Sequence, residues 1–481
     1  MKQHQKAIQL KKIMIFLVVF YIFSAVAFYF LSGDQLKLRE SRGNIIMPAA
    51  EKATVELVEG NVIEQSFSPK IQRLKSVSVM LSTYYRENDC QITMELLNGI
   101  DNSVLMHKDF DAKGLTDGEI ITMSVKKEPI ENLYNAPLIL RITSNGTHGN
   151  AVTPMMNQSA LKEQMTLTIN SEPINGTLCF SVMGEDYIWT GLHYWEFVLL
   201  FFVLIVVFLY STYCNWLKGK KTILVTLILT MKKYKFLIKQ LVNRDFKTKY
   251  KRSILGVLWS FLNPLLNMLV LYVVFSNLFR FDIPHYPVYL LCGIVMFNFF
   301  SEACSMALGS IIGNAGLITK VYVPKYIYPL TRILSSMVNL LISMLPLLVV
   351  TFFSGIIPTK AYALIPFILV CIGIFCLGLG MLLSSAMVFF RDIQFLWGII
   401  STIWMYLTPI FYPENILPTN VAWLLKVNPL YYFIKFLRIC VIDGISPEPI
   451  VYVQCFLFAI IMLLVGGIVF KKTQDKFVLY L

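Results

Sequence analysis

The amino-acid sequence predicts a polytopic α-helical membrane protein of about eight spans that also carries one all-β domain. Apolar residues make up 56% of the 481 residues and charged residues only 15%, whereas soluble domains carry about 25% charged residues. Apolar stretches recur that match the roughly 20 helical residues needed to cross a bilayer. One stretch, residues 32–192, is polar and contains no such run. This composition excludes a soluble enzyme.

The predicted spans begin with the uncharged residues 13–31. We interpret this run as a retained anchor rather than a signal peptide, because no small-residue cleavage site follows it. The other predicted spans cover approximately residues 197–214, 255–279, 289–312, 333–357, 362–390, 393–411 and 450–470. Only Arg391 and Asp392 separate the sixth span from the seventh, so we expect a tight turn there.

The net charge of +13 is unevenly distributed along the chain. Residues 32–192 contain 14 basic and 20 acidic side chains, whereas the remainder contains 28 basic and 9 acidic ones. Nine basic residues and one acid lie within residues 232–252 alone. Because basic residues concentrate in alternate short loops, the positive-inside rule predicts that both termini are cytoplasmic and residues 32–192 extracytoplasmic. We therefore expect a multi-pass membrane protein with membrane lipids, and no nucleic acid, as partners.

Strict alternation of apolar and polar residues predicts strands in the polar segment, for example at Ile92, Met94 and Leu96. Similar runs, separated by Asn, Gly and Asp turns, favour a β-sandwich or jelly roll. Such sandwiches often bind sugars on exposed aromatic rings, and the candidates here are Tyr84, Tyr85 and Tyr134. Their alternative role is packing in the core or in strand pairs. Cys90 and Cys179 are the two cysteines of this segment, and a disulfide between them is permitted.

Four blocks in the second half carry a family resemblance: NRDFKTKYKRSILGVLWSFLNP at 243–264, NAGLITKVYVPKYIYP at 314–329, FRDI at 390–393, and YLTPIFYP at 406–413 with NPLY at 428–431. Together they resemble the membrane subunit of ABC-2 type polysaccharide exporters, the family of O-antigen and teichoic acid export permeases. The resemblance covers about residues 232–481. It implies a six-span transporter domain at 253–481 in a bacterial cytoplasmic membrane. The family pattern does not include the three segments that hydropathy predicts before this domain: an N-terminal cytoplasmic tail and span (1–31), an outer domain (32–192) and a second span (193–217).

Residues 218–252 are predicted to hold an amphipathic helix, because Tyr234, Leu237, Ile238 and Leu241 recur at helical spacing beside basic residues. We expect this helix to lie in the cytoplasmic interface of the membrane, where anionic lipids attract basic residues. The resemblance adds a contact with the ATPase subunit. A membrane-surface anchor without a protein partner is the alternative.

Residues 313–329 resemble the family's main coupling helix, which seats in a cleft of the ATPase subunit. Two prolines near its end favour a stiff connection to the next span. The alternative for this segment is a passive loop whose lysines reflect only the positive-inside rule. For Arg391 and Asp392, which are expected to form a smaller contact, the alternative is a local ion pair. The residues expected to couple to the ATPase are Arg244, Asp245, Asn314, Lys320, Pro324, Lys325, Pro329, Arg391 and Asp392.

A phosphate-binding Walker A loop is missing from the sequence. The nearest string, GKKT at 219–222, is preceded by Cys214 where the motif needs glycine. We therefore expect no catalytic residue, cofactor or metal in this chain, and ATP and Mg²⁺ in a separate ATPase subunit. The resemblance implies two copies of this chain and two ATPase subunits.

Residues 412–449 resemble the family's re-entrant outer helices, which narrow the channel exit. The outer-gate candidates are Pro409, Tyr412, Pro413, Asn428, Pro429 and Tyr431. Aromatic rings and one acid are the candidates for lining the translocation path: Trp259, Phe275, Phe279, Phe297, Phe300, Glu302, Trp397, Trp404 and Tyr406. For the rings, the aromatic belt of membrane interfaces is the alternative. Glu302 is costly in lipid, so it is either functional or close to the outer end of its span.

We therefore expect an exporter of a lipid-linked surface polysaccharide, with an outer domain that binds the emerging glycan or docks a wall-attachment enzyme. An ABC-2 exporter of a small lipid or drug is the alternative within transport. Two other classes are a membrane glycosyltransferase and a polymer-length regulator. The first needs a compact acidic pair outside the membrane, and the second favours external coiled coils, whereas the outer segment is predicted to form strands.

Overall fold

The computed structural model describes residues 2–125, 128–158, 165–220, 222–251, 254–277, 283–416 and 423–480. The chain divides into two compact units. One comprises Met1–Leu36 and Tyr194–Leu481, and the other comprises Lys37–His193. The first unit is helical and the second is all-β, with a boundary close to the predicted 32–192.

The helices are α1 Lys2–Ser32, α2 Trp189–Leu192, α3 Tyr194–Leu217, α4 Ile223–Tyr250, α5 Leu258–Asn277, α6 Tyr286–Leu308, α7 Ala315–Ile318, α8 Ile327–Phe353, α9 Ile365–Phe389, α10 Ile393–Leu407, α11 Trp423–Val427, α12 Pro429–Arg438, α13 Pro449–Thr473 and α14 Phe477–Tyr480. Within the described ranges, seven helical segments, built on α1, α3, α5, α6, α8, α9 and α13, are long and apolar enough to cross a membrane. The polytopic helical fold is therefore confirmed.

The predicted span at residues 393–411 is helical over only part of its length. There α10 has 15 residues, which at 1.5 Å per residue is about 22 Å, short of the roughly 30 Å hydrocarbon core. The helix stops at Leu407 and Thr408 is extended. Pro409 explains this end, because proline disfavours a helical conformation in the residue before it. The turn that precedes α10 is tight as predicted, since α9 ends at Phe389 and α10 begins at Ile393.

Two features hold the helical unit together. Helix α6 is buried on most of its surface, and its Leu290 and Phe300 have no exposed area. Helices α9 and α13 approach through glycines, because a Cβ on Gly378 would lie 2.3 Å from the Met462 carbonyl oxygen, and one on Gly466 even closer to the Gly378 carbonyl oxygen. Small residues permit such close helix contacts in membrane proteins.

The strands of the all-β unit are β1 Leu38–Ser41, β2 Lys52–Ala53, β3 Ile63–Phe67, β4 Arg73–Ser82, β5 Gln91–Asn98, β6 Val104–Asp111, β7 Ile120–Ser124, β8 Ile130–Glu131, β9 Leu138–Ser144, β10 Thr153–Asn157, β11 Thr166–Ile169, β12 Glu172–Ile174, β13 Thr177–Leu178 and β14 Phe180–Tyr187. In the described residues they form two antiparallel sheets. The first follows the order β1-β14-β4-β10-β13, with β2 on β10 and β7 and β8 on β4, and the second the order β12-β11-β3-β9-β5-β6.

One hydrophobic core lies between these two sheets. Val77 and Val79 of β4 contribute to it from one side, and Ile92, Met94 and Leu140 from the other. All five side chains are fully buried, because alternate residues of a strand point to the same face. The predicted strands are therefore confirmed. Cys90 and Cys179 are both buried and free, and burial raises the pKa of the Cys179 thiol to about 11.

Candidate functional site

The apolar stripe of α4 packs against protein. Ile238 and Leu241 are buried in a cluster with Ile327, Tyr328 and Phe477. The predicted amphipathic helix is therefore present. We expected its apolar face to lie against lipid, whereas in the structure this face covers the start of α8 and the C-terminal segment. The lysines of α4 remain exposed on its other faces, whereas Arg252 lies outside the described residues.

Asp245 forms the buried centre of a charge network. Its side chain is 3% exposed, and its Oδ1 lies 3.0 Å from Nη2 of Arg244 and 3.0 Å from Nη1 of Arg332. Arg244 also donates to Oδ1 of Asn314 at 3.3 Å, and Asn314 donates to the Ser310 carbonyl at 2.7 Å. Oδ2 of Asp245 is buried and has no hydrogen-bond partner among the described residues. The network connects α4, α8 and the loop between α6 and α8.

Three of its members, Arg244, Asp245 and Asn314, were predicted as coupling residues, but Arg332 was not. In the sequence Arg332 contributed only to the count of basic loop residues. Arg332 lies about one turn into the apolar helix α8. A charge inside an apolar helix usually has a partner, so this position was a signal in the sequence that could have identified it.

The loop of residues 309–326 contains a 3₁₀ turn and the short α7. Lys320 is exposed, and Tyr322 beside it is 92% exposed. Lys325 instead points inward, where it donates to the Gln474 carbonyl and its Nζ lies 5.7 Å from the Phe477 ring centre. Of the two predicted lysines, only Lys320 therefore faces outward, and the exposed Tyr322 was missed.

The other predicted coupling residues lie in three different settings. Pro324 is half-buried within the loop, and Pro329 is buried in the first turn of α8 because this helix begins six residues earlier than expected. Arg391 and Asp392 are exposed in the turn between α9 and α10. The ion pairs recorded for the described residues do not include one between Arg391 and Asp392.

Glu302 lies near the end of α6 that leads into this loop, and not near the opposite end, which was predicted to be the outer one. Its Oε2 is 2.7 Å from Nζ of Lys249, and its Oε1 accepts a hydrogen bond of 2.6 Å from Asn339. A cavity of about 540 Å³ has several charged side chains in its lining, those of Glu302, Lys249, Arg244, Asp245 and Arg332. Two of the predicted coupling residues, Arg244 and Asp245, therefore share one cavity with the predicted path acid.

Three predicted path aromatics instead form a packed core. The Phe300 ring centre lies 5.9 Å from Trp397 and 5.1 Å from Trp404. Phe300 has no exposed surface and Trp397 is 5% exposed. These two rings therefore line no open path in this structure, because their neighbours in the same chain cover them.

Other predicted path residues do reach a surface. Phe275, Phe297 and Tyr406 line a groove of about 350 Å³ between α5, α6 and α10. Tyr406 is 62% exposed, and Trp259 is 46% exposed at the start of α5. Phe279 lies outside the described residues.

The predicted outer-gate segment after α10 is held by Arg438, which sequence reasoning missed. Arg438 is 7% exposed and donates to the carbonyl oxygens of Tyr289 (3.2 and 3.3 Å), Pro409 (2.8 Å) and Ile410 (3.1 Å). Its guanidinium carbon lies 3.3 Å from the Tyr289 ring centre. Irregular backbone at membrane depth needs such internal donors. The rule that singled out Glu302, a charge within an apolar segment, also applies to Arg438.

The other outer-gate candidates connect to the same segment. Asn428 accepts from Nε1 of Trp404 at 2.8 Å and from the Leu430 amide at 3.1 Å, and donates to Oγ1 of Thr408 at 2.8 Å. It therefore caps α12, which begins at Pro429, and joins this helix to α10. The remaining candidates bond to residues of the same region. The Tyr412 carbonyl accepts a hydrogen bond from the Tyr289 hydroxyl, and the Tyr431 hydroxyl donates one to the Glu414 carboxylate. Pro413 is half-buried.

The three candidate sugar-binding tyrosines are all exposed, Tyr84 by 42%, Tyr85 by 92% and Tyr134 by 57%. This exposure excludes the alternative that they pack in the core. Tyr84 and Tyr85 follow the end of β4 at Ser82, whereas Tyr134 follows β8, which pairs with the start of β4. Because β4 has ten residues, about 33 Å of strand, Tyr134 lies at the other end of the sandwich.

Comparison with known proteins gives a consistent result. The family described as ABC-2 type transporter matches residues 236–442. The O-antigen export system permease protein RfbA of Klebsiella pneumoniae is 30% identical over 238 residues, 49% of this chain and 92% of that protein. RfbA of Myxococcus xanthus is 27% identical over 256 residues, 53% of this chain and 98% of the relative.

The polysialic acid transport protein KpsM of Escherichia coli is 22% identical over 244 residues, 50% of this chain and 95% of that protein. These relatives are similar to half of the chain and are themselves covered almost completely. The family match begins within α4 and ends after α12, so that it includes the charge network and the Arg438 site. The chain is thus a multi-pass membrane protein that belongs to the ABC-2 type polysaccharide export permease family.

Proposed function

We propose that this chain is the membrane subunit of an ABC exporter that moves a lipid-linked cell-surface polysaccharide across the cytoplasmic membrane. The similarity to permeases named for O-antigen, polysialic acid and capsule polysaccharide export supports the substrate class. The observation that carries the proposal is the charge network of the buried Asp245, because it connects a surface suited to a partner protein with the long helix α8.

The partner surface consists of the exposed Lys320 and Tyr322 and the basic face of α4. Tyrosine is enriched at the energetically important positions of protein interfaces, and a basic face attracts a partner surface of opposite charge. The chain has no nucleotide-binding motif, so a separate ATPase subunit supplies ATP hydrolysis with its ATP and Mg²⁺. The exporter contains two copies of this chain and two ATPase subunits, and residues 309–326 lie on the cytoplasmic side.

Movement of the loop reaches α8 through Asn314, Arg244, Asp245 and Arg332. Charge-assisted hydrogen bonds are stronger than neutral ones, and separating a buried carboxylate from its cations costs several kcal/mol. The four residues therefore move together rather than letting the loop slide past α8. The cavity beside them, with Lys249 and Glu302, changes shape in the same movement.

The all-β unit lies on the outer side, where the polysaccharide emerges, and binds it. At the exit, the segment after α10 narrows the channel, and Arg438 maintains its shape. The basic residues of the short loops, which the positive-inside rule assigns to the cytoplasmic side, support this orientation.

Complementation tests the proposal. A source strain that lacks this chain is expected to lose its surface polysaccharide, to accumulate lipid-linked glycan inside, and to recover on expression of the wild-type chain. The control is expression of the chain together with a partner ATPase whose Walker A lysine is replaced, which restores nothing. Normal surface polysaccharide in the deletion strain, with loss of lipid or drug efflux instead, contradicts the proposal and favours the small-molecule exporter.

A further inference from the structure

Four loops meet at one end of the β-sandwich: residues 54–62, 83–90, 112–119 and 145–152. Backbone and side-chain hydrogen bonds join them, for example from the Leu57 amide to the Val152 carbonyl at 2.9 Å and from the Asp89 amide to Oδ1 of Asn150 at 2.6 Å. The four loops form one surface, which we call the loop cluster.

Tyr84 and Tyr85 lie in this cluster with unusual backbone conformations. Their φ angles are +55° and +58°, and non-glycine residues rarely adopt this left-handed region. Oδ1 of Asp117 accepts hydrogen bonds from Oγ of Ser82 (2.7 Å) and from the Thr83 amide (2.8 Å), while Oγ of Ser82 accepts from the Tyr84 amide (3.2 Å). The bond from Ser82 lowers the pKa of the Asp117 carboxyl. These contacts hold two adjacent phenol rings at the surface, and strain of this kind is found at ligand sites.

Polar groups with partners of their own lie beside the Tyr84 ring and in the neighbouring loops. The Arg86 guanidinium carbon is 5.0 Å from the Tyr84 ring centre, and Arg86 donates to Oδ1 of Asn88 (3.0 Å) and to the Ala151 carbonyl (3.0 Å). Glu56 pairs with Arg86 through Oε1, and its Oε2 lies 2.7 Å from Nδ1 of His148, whose side chain is 95% exposed. Arg86 therefore presents a guanidinium beside the Tyr84 ring that its other contacts already order, which lowers the entropy cost of binding there.

The charge of the cluster restricts the ligand. Its four loops contain two basic residues and six acids, a net charge of −4: Arg86 and Lys113 against Glu56, Glu59, Glu87, Asp89, Asp117 and Glu119. A polymer with a phosphate in every repeat is repelled at distances within the Debye length of about 8 Å at physiological salt. Neutral sugars are not repelled, and their C–H faces stack on aromatic rings while their hydroxyls bond polar groups.

We propose that the loop cluster binds neutral sugar residues of the exported glycan, with Tyr84 and Tyr85 as stacking faces and Arg86 and His148 as hydrogen-bonding groups. The proposal rests on the proposed function, because it needs a glycan delivered to the side on which this unit lies. It distinguishes a neutral polysaccharide from an anionic polyol phosphate, a choice that the family alone leaves open.

Binding to the full-length chain in lipid nanodiscs tests the proposal by biolayer interferometry. The probe is neutral surface polysaccharide of the source cell, separated from phosphate-containing polymers by anion exchange, and the comparison probe is poly(glycerol phosphate). The double variant Tyr84→Asn, Tyr85→Asn removes both rings, and asparagine tolerates a positive φ. We expect wild type to bind the neutral probe and the double variant to bind about tenfold more weakly, as for the loss of one or two aromatic contacts.

Tyr134→Ala is the matched control, because it removes an exposed tyrosine of the same unit at the other end of β4, and we expect its binding to equal that of wild type. The proposal is overturned by equal binding of wild type and double variant, by equal loss in Tyr134→Ala, or by poly(glycerol phosphate) binding as tightly as the neutral probe. Failure of the proposed function looks different, since the wild-type chain then restores no surface polysaccharide to the deletion strain.

Discussion

Replacing Arg438 by methionine is expected to destabilise the segment after α10. Methionine keeps much of the apolar length of the side chain but removes four hydrogen bonds to three carbonyl oxygens, those of Tyr289, Pro409 and Ile410. The guanidinium also loses its contact with the Tyr289 ring, 3.3 Å from the ring centre. The three carbonyls then lie in a buried site without the guanidinium as a donor.

The magnitude follows from these contacts. An unsatisfied buried acceptor costs about 1–3 kcal/mol. The Pro409 carbonyl keeps the Tyr289 hydroxyl as a donor at 3.4 Å, so two carbonyls lose their side-chain donor outright, at a cost of about 2–6 kcal/mol. The variant no longer buries a cation, which offsets part of this cost, so we expect a net loss in folding free energy of about 1–3 kcal/mol. Arg438→Lys keeps the charge, but one ammonium group does not reproduce the planar fork of donors, so we expect an intermediate loss.

Thermal unfolding of the purified chain in detergent, followed by tryptophan fluorescence, measures this loss because Trp404 lies in the same network through Asn428. We expect a melting temperature several degrees lower for Arg438→Met. Lys435→Met is the control, since it removes a 37% exposed cation from the same helix and should melt almost like wild type. Identical melting of Arg438→Met and wild type would refute the structural role of Arg438.

Four further outcomes are expected. Asp245→Asn leaves two arginines without their shared carboxylate, so export falls at least tenfold in the complementation assay while the partner still hydrolyses ATP; unchanged export contradicts coupling through the network. Lys320→Glu abolishes export without changing the melting temperature, whereas Lys325→Glu lowers the melting temperature because its contacts are internal. Gly293→Ala lowers stability by about 1–3 kcal/mol, because the added Cβ lies 2.8 Å from Cγ2 of Ile410; equal melting contradicts that packing. Burial raises the pKa of Glu56, but the Arg86 and Gly149 hydrogen bonds outweigh it, so this pKa lies below 4.5. Its stabilisation is present above that pH and is lost as the pH falls through the lowered pKa, and pH-dependent melting of Glu56→Gln should lack that loss.

Much of the candidate site was predictable from the sequence, but the contacts among its residues were not. Arg244, Asp245 and Asn314 were singled out because they lie in blocks of family resemblance, and the structure brings them together. Arg332 was not, because its pairing with Asp245 joins residues far apart in the chain. Glu302 was recognised as a costly charge, but its place at the end of α6 near Lys249 depends on how α4 packs.

The sequence by itself determined the membrane fold, the all-β unit and the family. Bilayer thickness sets the length of a span, strand alternation has a period of two, and family blocks are contiguous, so each of these signals is local. Only the tertiary structure decided that α10 ends early at an irregular segment held by Arg438, that Phe300 and Trp397 are covered by their neighbours, and that Tyr84 and Tyr85 lie far from Tyr134. These features depend on contacts between distant segments, where packing and the need of every buried polar group for a partner select one arrangement.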